Sequence, residues 1–501
     1  VTKGVIATPH RLASEAGAEV LRDGGNAVDA AIAADAVLCV VYPHMTSAGG
    51  DLMAIVWPAG ADSPVGLIGA GRSGELASIA AIRARGYDEM PERGVLSVTV
   101  PGTVEAWGRL LERFGTLGLG PLMEAAATLA RDGYIVTERL AEFLKTHAQL
   151  LGRERATQEL YPPMDAGMLL RNPDLASVLT DIGRAGISGF YRGEIGAGIA
   201  EAIRKRDGLV TARDLAAHRS QWVTPIAVAY RDLTVYELPP PTQGLTALAM
   251  LARLNRLSRA DLEPGLDFVS KFKEIRDVCY SLRDRYITDP DFATVPVEPF
   301  LDPLHVSAVD GGGARDGGDT IYLCAADEHG NFVSLIQSLA YGFGSGIVAE
   351  GTGMLLQNRG CYFRLDSAHV NRLEPNKRTM HTLIPAIASR DGRPWAVFGS
   401  MGGEGQPQLQ AQVLLNLVDH GLEPAEAVAR PRVRVLAGGR TISVEADYPG
   451  VSELRHSGLT IELMPAKHHS FGHAQAILID GPGAWRAGAD PRSDGTVESA
   501  R

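Results

Sequence analysis

Thr320 stands where the sequence can make a nucleophile. Residues 311–318, GGGARDGG, hold five glycines, and glycine loses more backbone freedom on ordering than any other residue, so this stretch predicts neither helix nor strand. The run ends at Asp319 and Thr320. From there Ile321 to Ala325 read as a buried strand, Asp327 to Asn331 as a tight turn, and Phe332 to Ser338 as the antiparallel partner. A loose arm joined to a rigid strand that opens on a hydroxyl suggests a chain that cuts itself. The Thr320 hydroxyl attacks the Asp319 carbonyl, and cleavage exposes Thr320 as a new N-terminus. Its freed α-amine, titrating near ~7.7–8, then serves as the base for its own hydroxyl. Alone, the pattern has a plainer reading, because threonine favours strands for packing reasons.

An acyl-transfer site also needs donors for a developing oxyanion. GSMGGEGQ, at 399–406, follows the apolar strand Trp395–Phe398 and sets Gly402-Gly403 just beyond it. Side-chain-free residues let backbone N–H groups approach a negative charge, and one such donor typically contributes about 10²–10³ in rate. A simple turn is the rival reading. Tyr341 opens a glycine-interleaved loop, YGFGSG, that brings backbone close to whatever it borders.

The elements that must carry these residues alternate between helix and strand. Leu12, Ala16, Val20 and Leu21 recur at helical spacing up to Gly24-Gly25; Asn26 caps a second, alanine-rich helix with Asp29 in its first turn. HMTSAGGD leads into a strand at Leu52–Trp57, with Gly49-Gly50 either a turn or a pocket wall. SVTVPGTVEAWGRLLERFG (97–115) predicts strand, Pro-Gly turn and amphipathic helix, and 122–137 another helix ended by Gly133. The strand Leu233–Leu238 runs into Pro239, Pro240 and Pro241, a stiff extended segment. Helix follows as far as Tyr286. The only linker is 308–319, the expected cleavage arm.

Composition narrows the partners. With 501 residues, 45% of them apolar, the chain can bury a large core. A net charge of −11 without a basic cluster argues against nucleic acid or an anionic membrane. The apolar stretch Ala30–Tyr42 is interrupted by Asp35 and too short to span a bilayer. The first residues, VTKGVIATPHRLAS, hold no apolar signal region, which predicts a cytoplasmic protein unless a signal was removed beforehand. Cys39, Cys279, Cys324 and Cys361 lie far apart with no CxxC, so neither disulfides nor a zinc site is expected. His468, His469 and His473 are weighed as metal ligands and set aside. Asp327 and Asp490 read as turn residues.

The stretch Thr320–Gly346, PNKR at 375–378, GSMGG at 399–403, ADPRSDG at 489–495 and GGNAVDAA at 24–31 together resemble the γ-glutamyltranspeptidase family of N-terminal-nucleophile hydrolases, over nearly the whole chain. The resemblance implies an α+β fold, a four-layer αββα sandwich, and a site with no metal or organic cofactor. It implies cleavage at Asp319–Thr320 into fragments 1–319 and 320–501, intertwined as one domain and forming a heterodimer, with further dimerisation left open. It puts the oxyanion hole at Gly402-Gly403. Ser338 falls where the family carries a threonine or serine facing the nucleophile, a satisfied sheet hydroxyl being the rival reading. Arg72, in GAGRSGE, corresponds to an arginine that binds a substrate α-carboxylate, for which a planar guanidinium is well shaped; a surface arginine is the plainer reading.

Departures from the family bear on the substrate. Where glutathione-type enzymes hold a substrate ammonium with an asparagine and an aspartate, this chain has Ala340 and Tyr362; paired serines after PNKR become His381-Thr382, and Arg359 adds a positive charge. A buried ammonium without an anionic partner is costly. Arg359, His381, Thr382 and Tyr341 therefore predict a pocket for a small anionic acyl group, which weakens glutathione as substrate. The expected activity is that of a self-processing amidohydrolase or acyltransferase on a small-molecule amide. Close alternatives are hydrolases like oxamate amidohydrolase or cephalosporin acylase, or ones that cut C–C bonds. A different class, an uncleaved non-catalytic binding homologue, would use the same pocket without chemistry.

Overall fold

The structure is a computed structural model that describes residues 2–304, 318–481 and 483–501. The glycine run and most of the expected cleavage arm, residues 305–317, lie outside the described residues. Two large antiparallel sheets organise the chain. The first has seven strands in the spatial order Thr496–Ala500, Gly4–Thr8, Asp319–Asp327, Phe332–Ala340, Asp51–Trp57, Val65–Gly69 and Gln221–Val223. The second has six: Ala484–Ala489, Ala474–Gly481, Arg393–Ser400, Ala386–Arg390, Leu233–Glu237 and Ile226–Tyr230.

Alternation along the central strands decides what each face buries. Tyr322, Cys324, Ala326 and Ile336 share one apolar cluster with Met53, Ile55 and Trp57 of the first sheet and with Ile387, Val397 and Ile477 of the second. Their neighbours Ile321, Leu323, Ala325, Val333 and Leu335 instead join the helix cluster built around Ala27–Val41. The other face of the second sheet, including Val235, Ala388, Ala396 and Phe398, packs with helices Gly244–Leu254 and Gln406–Val418.

The helix at Ala27–Val41 is buried on every side, which its alanines permit by keeping the helix thin. Its start matches the sequence reading: Asn26 accepts from Val28 and Asp29 N–H while Asp29 accepts from Asn26 N–H. Asp327 adds a tie across the chain, accepting from Ala27 N–H at 2.8 Å as well as holding its own turn. Asp490 is more than a turn residue, since it pairs in the interior with Arg432 and Arg492.

Two expected boundaries change. The strand that carries Thr320 begins at Asp319, one residue earlier, because Asp319 pairs with Ala340 across a bulge in the hairpin. No strand forms at 97–100: Val95–Ser97 is a single 3₁₀ turn leading to the helix Thr103–Phe114. The apolar residues there, Val98 and Val100, are buried without a place in either sheet, and Gly71 lies directly against the Val100 backbone. All four cysteines are buried, and none is joined in a disulfide among the described residues. Among the described residues no helix is long and apolar enough to cross a membrane.

Candidate active site

The hairpin register sets Thr320 opposite Ser338, and Ser338 opposite Asp51 on the next strand. Residues directly opposite share a face, so all three side chains stand on the face turned to the second sheet, at the end of the sheet where the apolar packing stops. Thr320, Ser338 and Asp51 are buried. The Thr320 hydroxyl donates to Ser338 Oγ at 3.2 Å, and the Ser338 hydroxyl donates to the carbonyl oxygen of Asp319 at 2.7 Å. Ala340 N–H donates to the same Ser338 oxygen at 2.7 Å, fixing its orientation. One hydroxyl thus accepts a hydrogen bond from Thr320 and donates one to the carbonyl just before it.

The glycine pair lies against this bond. A Cβ on Gly318 would come within 2.4 Å of Gly403 Cα, so the residue ahead of Asp319 rests directly on the pair. Gly402 and Gly403 have φ of 139° and 54°, conformations that favour glycine. Gln243, just beyond the proline segment, locks the pair in place. Its side-chain amide donates to Gly403 O at 2.9 Å and Thr382 O at 3.0 Å, and its oxygen accepts from the buried Arg283.

A cleft of about 550 Å³ opens at this point, with Gly318, Asp319, Tyr341, Gly402, Arg93, His147 and Arg434 among its walls. Asp319 Oδ2 accepts from Gly342 N–H at 2.7 Å. Burial pushes the Asp319 carboxyl up to about 6, against the opposing pull of that N–H and of Arg93 and Arg434. Arg93 donates to the carbonyls of Gly342 and Gly344 at 2.5 and 2.7 Å, and lies over the Tyr341 ring.

The five residues expected to contact substrate divide. Tyr341 lines the cleft and stacks on Tyr362, with ring centres 5.9 Å apart. Arg359 lies over the Tyr362 ring and is fully buried. Its Nη1 donates to Thr382 Oγ1 at 2.8 Å while Nε and Nη2 have no partner among the described residues. His381 Nε2 meets Asp51 Oδ2 at 3.1 Å, and its Nδ1 accepts from Leu383 N–H, so the proton lies on Nε2 of a neutral ring. Burial, reinforced by Arg359 and Arg378, holds His381 well below the usual imidazole range, and burial raises Asp51 to about 7.

Arg72 belongs elsewhere. It bonds Asp289 and Asn376 O at 2.9 Å and Asp291 at 2.5 Å, and lines a separate cleft of about 500 Å³ with Arg378, His218 and Trp222. The three weighed histidines do not converge either: His469 borders the nucleophile's cleft while His473 is buried with both ring nitrogens unpartnered. Among the described residues no group of three or more His, Cys, Asp or Glu is arranged to hold a metal. Asp51, Arg93, His147, Gln243 and Arg434 escaped the sequence reading. Only Asp51 left a signal, as the polar end of GGD ahead of a strand.

Thr320 is thus a buried residue at the start of a central strand, linked through the Ser338 hydroxyl to the carbonyl that precedes it. Comparison with known proteins is specific. The family model described as Gamma-glutamyltranspeptidase matches residues 13–500. The chain is 36% identical over 521 aligned positions to the glutathione hydrolase-like YwrD proenzyme of Bacillus subtilis (strain 168), covering 99% of this chain and 98% of that one. It is 34% identical to the oxamate amidohydrolase proenzyme of Klebsiella pneumoniae, at 99% and 98% coverage. Its fold superposes on cephalosporin acylase from Bacillus halodurans with a TM-score of 0.92 and 35% identity, over 99% and 96% of the chains. The chain belongs to the gamma-glutamyltranspeptidase family.

Proposed function

We propose that this chain is a precursor that cuts itself between Asp319 and Thr320 and then uses Thr320 to hydrolyse, or transfer the acyl group of, an amide with a small anionic acyl part. The observation that carries this is the hydroxyl chain from Thr320 through Ser338 to the Asp319 carbonyl. In the first step Thr320 Oγ bonds to the Asp319 carbonyl carbon and gives its proton toward Ser338. The C–N bond breaks, the Thr320 nitrogen leaves as an amine carrying a proton, and the two residues are joined by an ester. Water cleaves that ester, releasing Asp319 as a carboxylic acid and restoring the Thr320 hydroxyl. A substrate amide then repeats the sequence, with the free α-amine as base and the Gly402-Gly403 N–H groups bearing the oxyanion.

The names of the relatives, all proenzymes or acylases, support the same reading. The fragments 1–319 and 320–501 would remain a heterodimer, because the strand Asp319–Asp327 is hydrogen-bonded to Gly4–Thr8 on one side. A four-layer αββα arrangement is the fold we assign, on the strength of one apolar cluster between the sheets and a helical cluster on each outer face. Anionic character of the acyl group is supported by Arg93 and Arg434, which line the cleft beside Asp319.

Intact-mass analysis of the purified protein beside Thr320→Ala tests the proposal. Two fragments, one beginning at Thr320, are expected from the native sequence and one chain from the variant. A single chain from both would replace this reading with that of an uncleaved binding protein.

A further inference from the structure

Asp319 occupies the nucleophile's cleft with a carboxyl group that has a seat of its own. Its Oδ2 takes the Gly342 N–H at 2.7 Å. A Cβ on Gly342 would stand 2.9 Å from that oxygen and 3.1 Å from His147 Nε2, so the seat exists only because residue 342 lacks a side chain. Gly342 has no left-handed φ, so backbone strain does not account for the glycine. Arg93, whose Nη1 grips the carbonyls on either side of Phe343, and the buried Arg434 both pull electrostatically on the carboxyl. The other acids on the cleft wall, Glu142 and Glu462, are exposed and therefore screened by solvent.

We infer that Gly342 N–H, with Arg93 and Arg434 behind it, is a carboxylate seat that Asp319 fills before cleavage and a substrate carboxylate fills afterwards, which makes amides of four-carbon dicarboxylic acids the preferred substrates. The inference rests on Thr320 as nucleophile. Self-cleavage and substrate turnover pass through the same kind of ester on Thr320 Oγ, and in the first the acyl group is Asp319 itself. In aspartate, two carbons separate the reacting carbonyl from the side-chain carboxylate. A succinyl group reproduces that spacing; an oxalyl group has no carbon between, and a glutaryl group has three. Asp319 is held at a cost, since burial lifts its pKa to about 6, and Gly318 lying on Gly403 helps to enclose it. Once freed from Thr320 it has reason to leave for water.

Arg359 is the rival receptor, because two of its nitrogens lack partners. It is fully buried over the Tyr362 ring, donates to Thr382 Oγ1, and is not among the walls of the cleft that holds Asp319.

The test compares cleaved Asp319→Ala with cleaved Asp319→Ala/Gly342→Ala, since removing the carboxyl also removes the tighter of the two contacts that an alanine at 342 would make in the precursor. Hydrolysis of acetyl, oxalyl, succinyl, glutaryl and succinamoyl p-nitroanilides is followed, together with calorimetric binding of free succinate and glutarate. The succinyl anilide is expected to lead the others in kcat/KM by about 10- to 100-fold, the scale of a charged hydrogen bond. Its ratio to the acetyl anilide should fall at least 10-fold in the double variant, and succinate should bind more tightly than glutarate only in the first. Equal ratios in both proteins, a lead for oxalyl or glutaryl, no succinate binding, or loss of the preference in Arg359→Gln instead, overturns the seat. Cleavage with acyl label on Thr320 but no preference removes the seat alone, whereas a chain that never cleaves removes the nucleophile and the seat with it.

Discussion

Two clefts of similar size carry arginines and aspartates, and their carboxylates behave in opposite ways. Around Arg72, burial pushes Asp289 up, but the bonds and charges of Arg378 and Arg72 overcome it and leave Asp289 below its ordinary value. Around Thr320, Asp319 has one N–H and two arginines that act at a distance, and burial wins. The first cleft is closed electrostatically: its cations already have partners that stay with the fold. In the second, Arg93 pairs directly, among the described residues, only with the half-exposed Glu92, and the buried acid that feels both Arg93 and Arg434 belongs to the bond we propose is cut. Charge in a cleft therefore says little about ligand binding until its present partners are counted.

The sharpest way to break the comparison is Ser338→Ala. It removes the group that both accepts from Thr320 and donates to the Asp319 carbonyl, so self-cleavage should slow by about 10²–10³, the usual effect of losing one such donor. Ser338→Thr keeps a hydroxyl and should recover most of the rate, as followed by the disappearance of the intact chain in a time course. Cleavage at native speed in Ser338→Ala would reduce the hydroxyl chain to a sheet contact.

Arg72→Ala probes the other cleft, and its effect should fall on stability rather than on rate. Asp289 is fully buried and would keep only Arg378 as a charged partner, while the partly exposed Arg72–Asp291 contact contributes little. A loss of about 1–3 kcal/mol is expected, read as a lower denaturant midpoint with an unchanged cleavage half-time. A large drop in kcat/KM without loss of stability would return Arg72 to the substrate.

The two aspartates also predict opposite pH slopes, measurable in the uncleaved Thr320→Ala protein. Asp319 is raised, so the folded chain holds its proton more tightly than the unfolded one, and its contribution to stability falls as pH rises from about 4 to about 6. Asp289 is lowered, so its contribution is present above the unfolded value near ~3.9 and is lost as pH falls through the folded value. Adding Asp319→Asn should therefore help most above pH ~6 and not at all below ~4. Adding Asp289→Asn should harm at neutral pH, with the harm fading in acid. Parallel curves would mean that the two environments do not differ.

How much of this was legible beforehand follows the range of the interactions. Asn26 as a cap, the hairpin after Thr320 and the glycine pair after the strand at 395–398 all rest on neighbours in sequence, and each was readable. Ser338 facing Thr320 was expected from the family resemblance, and the local register of the hairpin sets the two opposite each other. Arg72 was assigned to the substrate by resemblance alone, and what decides its place is Asp289 and Asp291, more than two hundred residues away in a stretch without a motif. His381 looked like a replaced substrate ligand, yet it is held by Asp51, which no spacing connects to it. The carboxylate seat was hidden for another reason. Gly342 reads as one more loop glycine until the Asp319 oxygen is seen beside it.

The smallest expected effect lies at Ala340, opposite Asp319 in the bulge. Its φ of 83° is left-handed and unusual for alanine, so the backbone beside the scissile bond carries strain. Left-handed geometry costs a residue with a Cβ roughly 1–2 kcal/mol, and asparagine tolerates it better than alanine. Ala340→Asn should thus be neutral or stabilising by less than about 1 kcal/mol. If the strain helps to bend the Asp319–Thr320 bond toward attack, relieving it should also slow cleavage, by less than about 5-fold on the same energy scale. Slower cleavage with higher stability would tie the bulge to the chemistry. A stability gain with an unchanged half-time would confine its role to the loop that carries Gly342, leaving the hydroxyl chain of Ser338 to account for the reactivity of the bond.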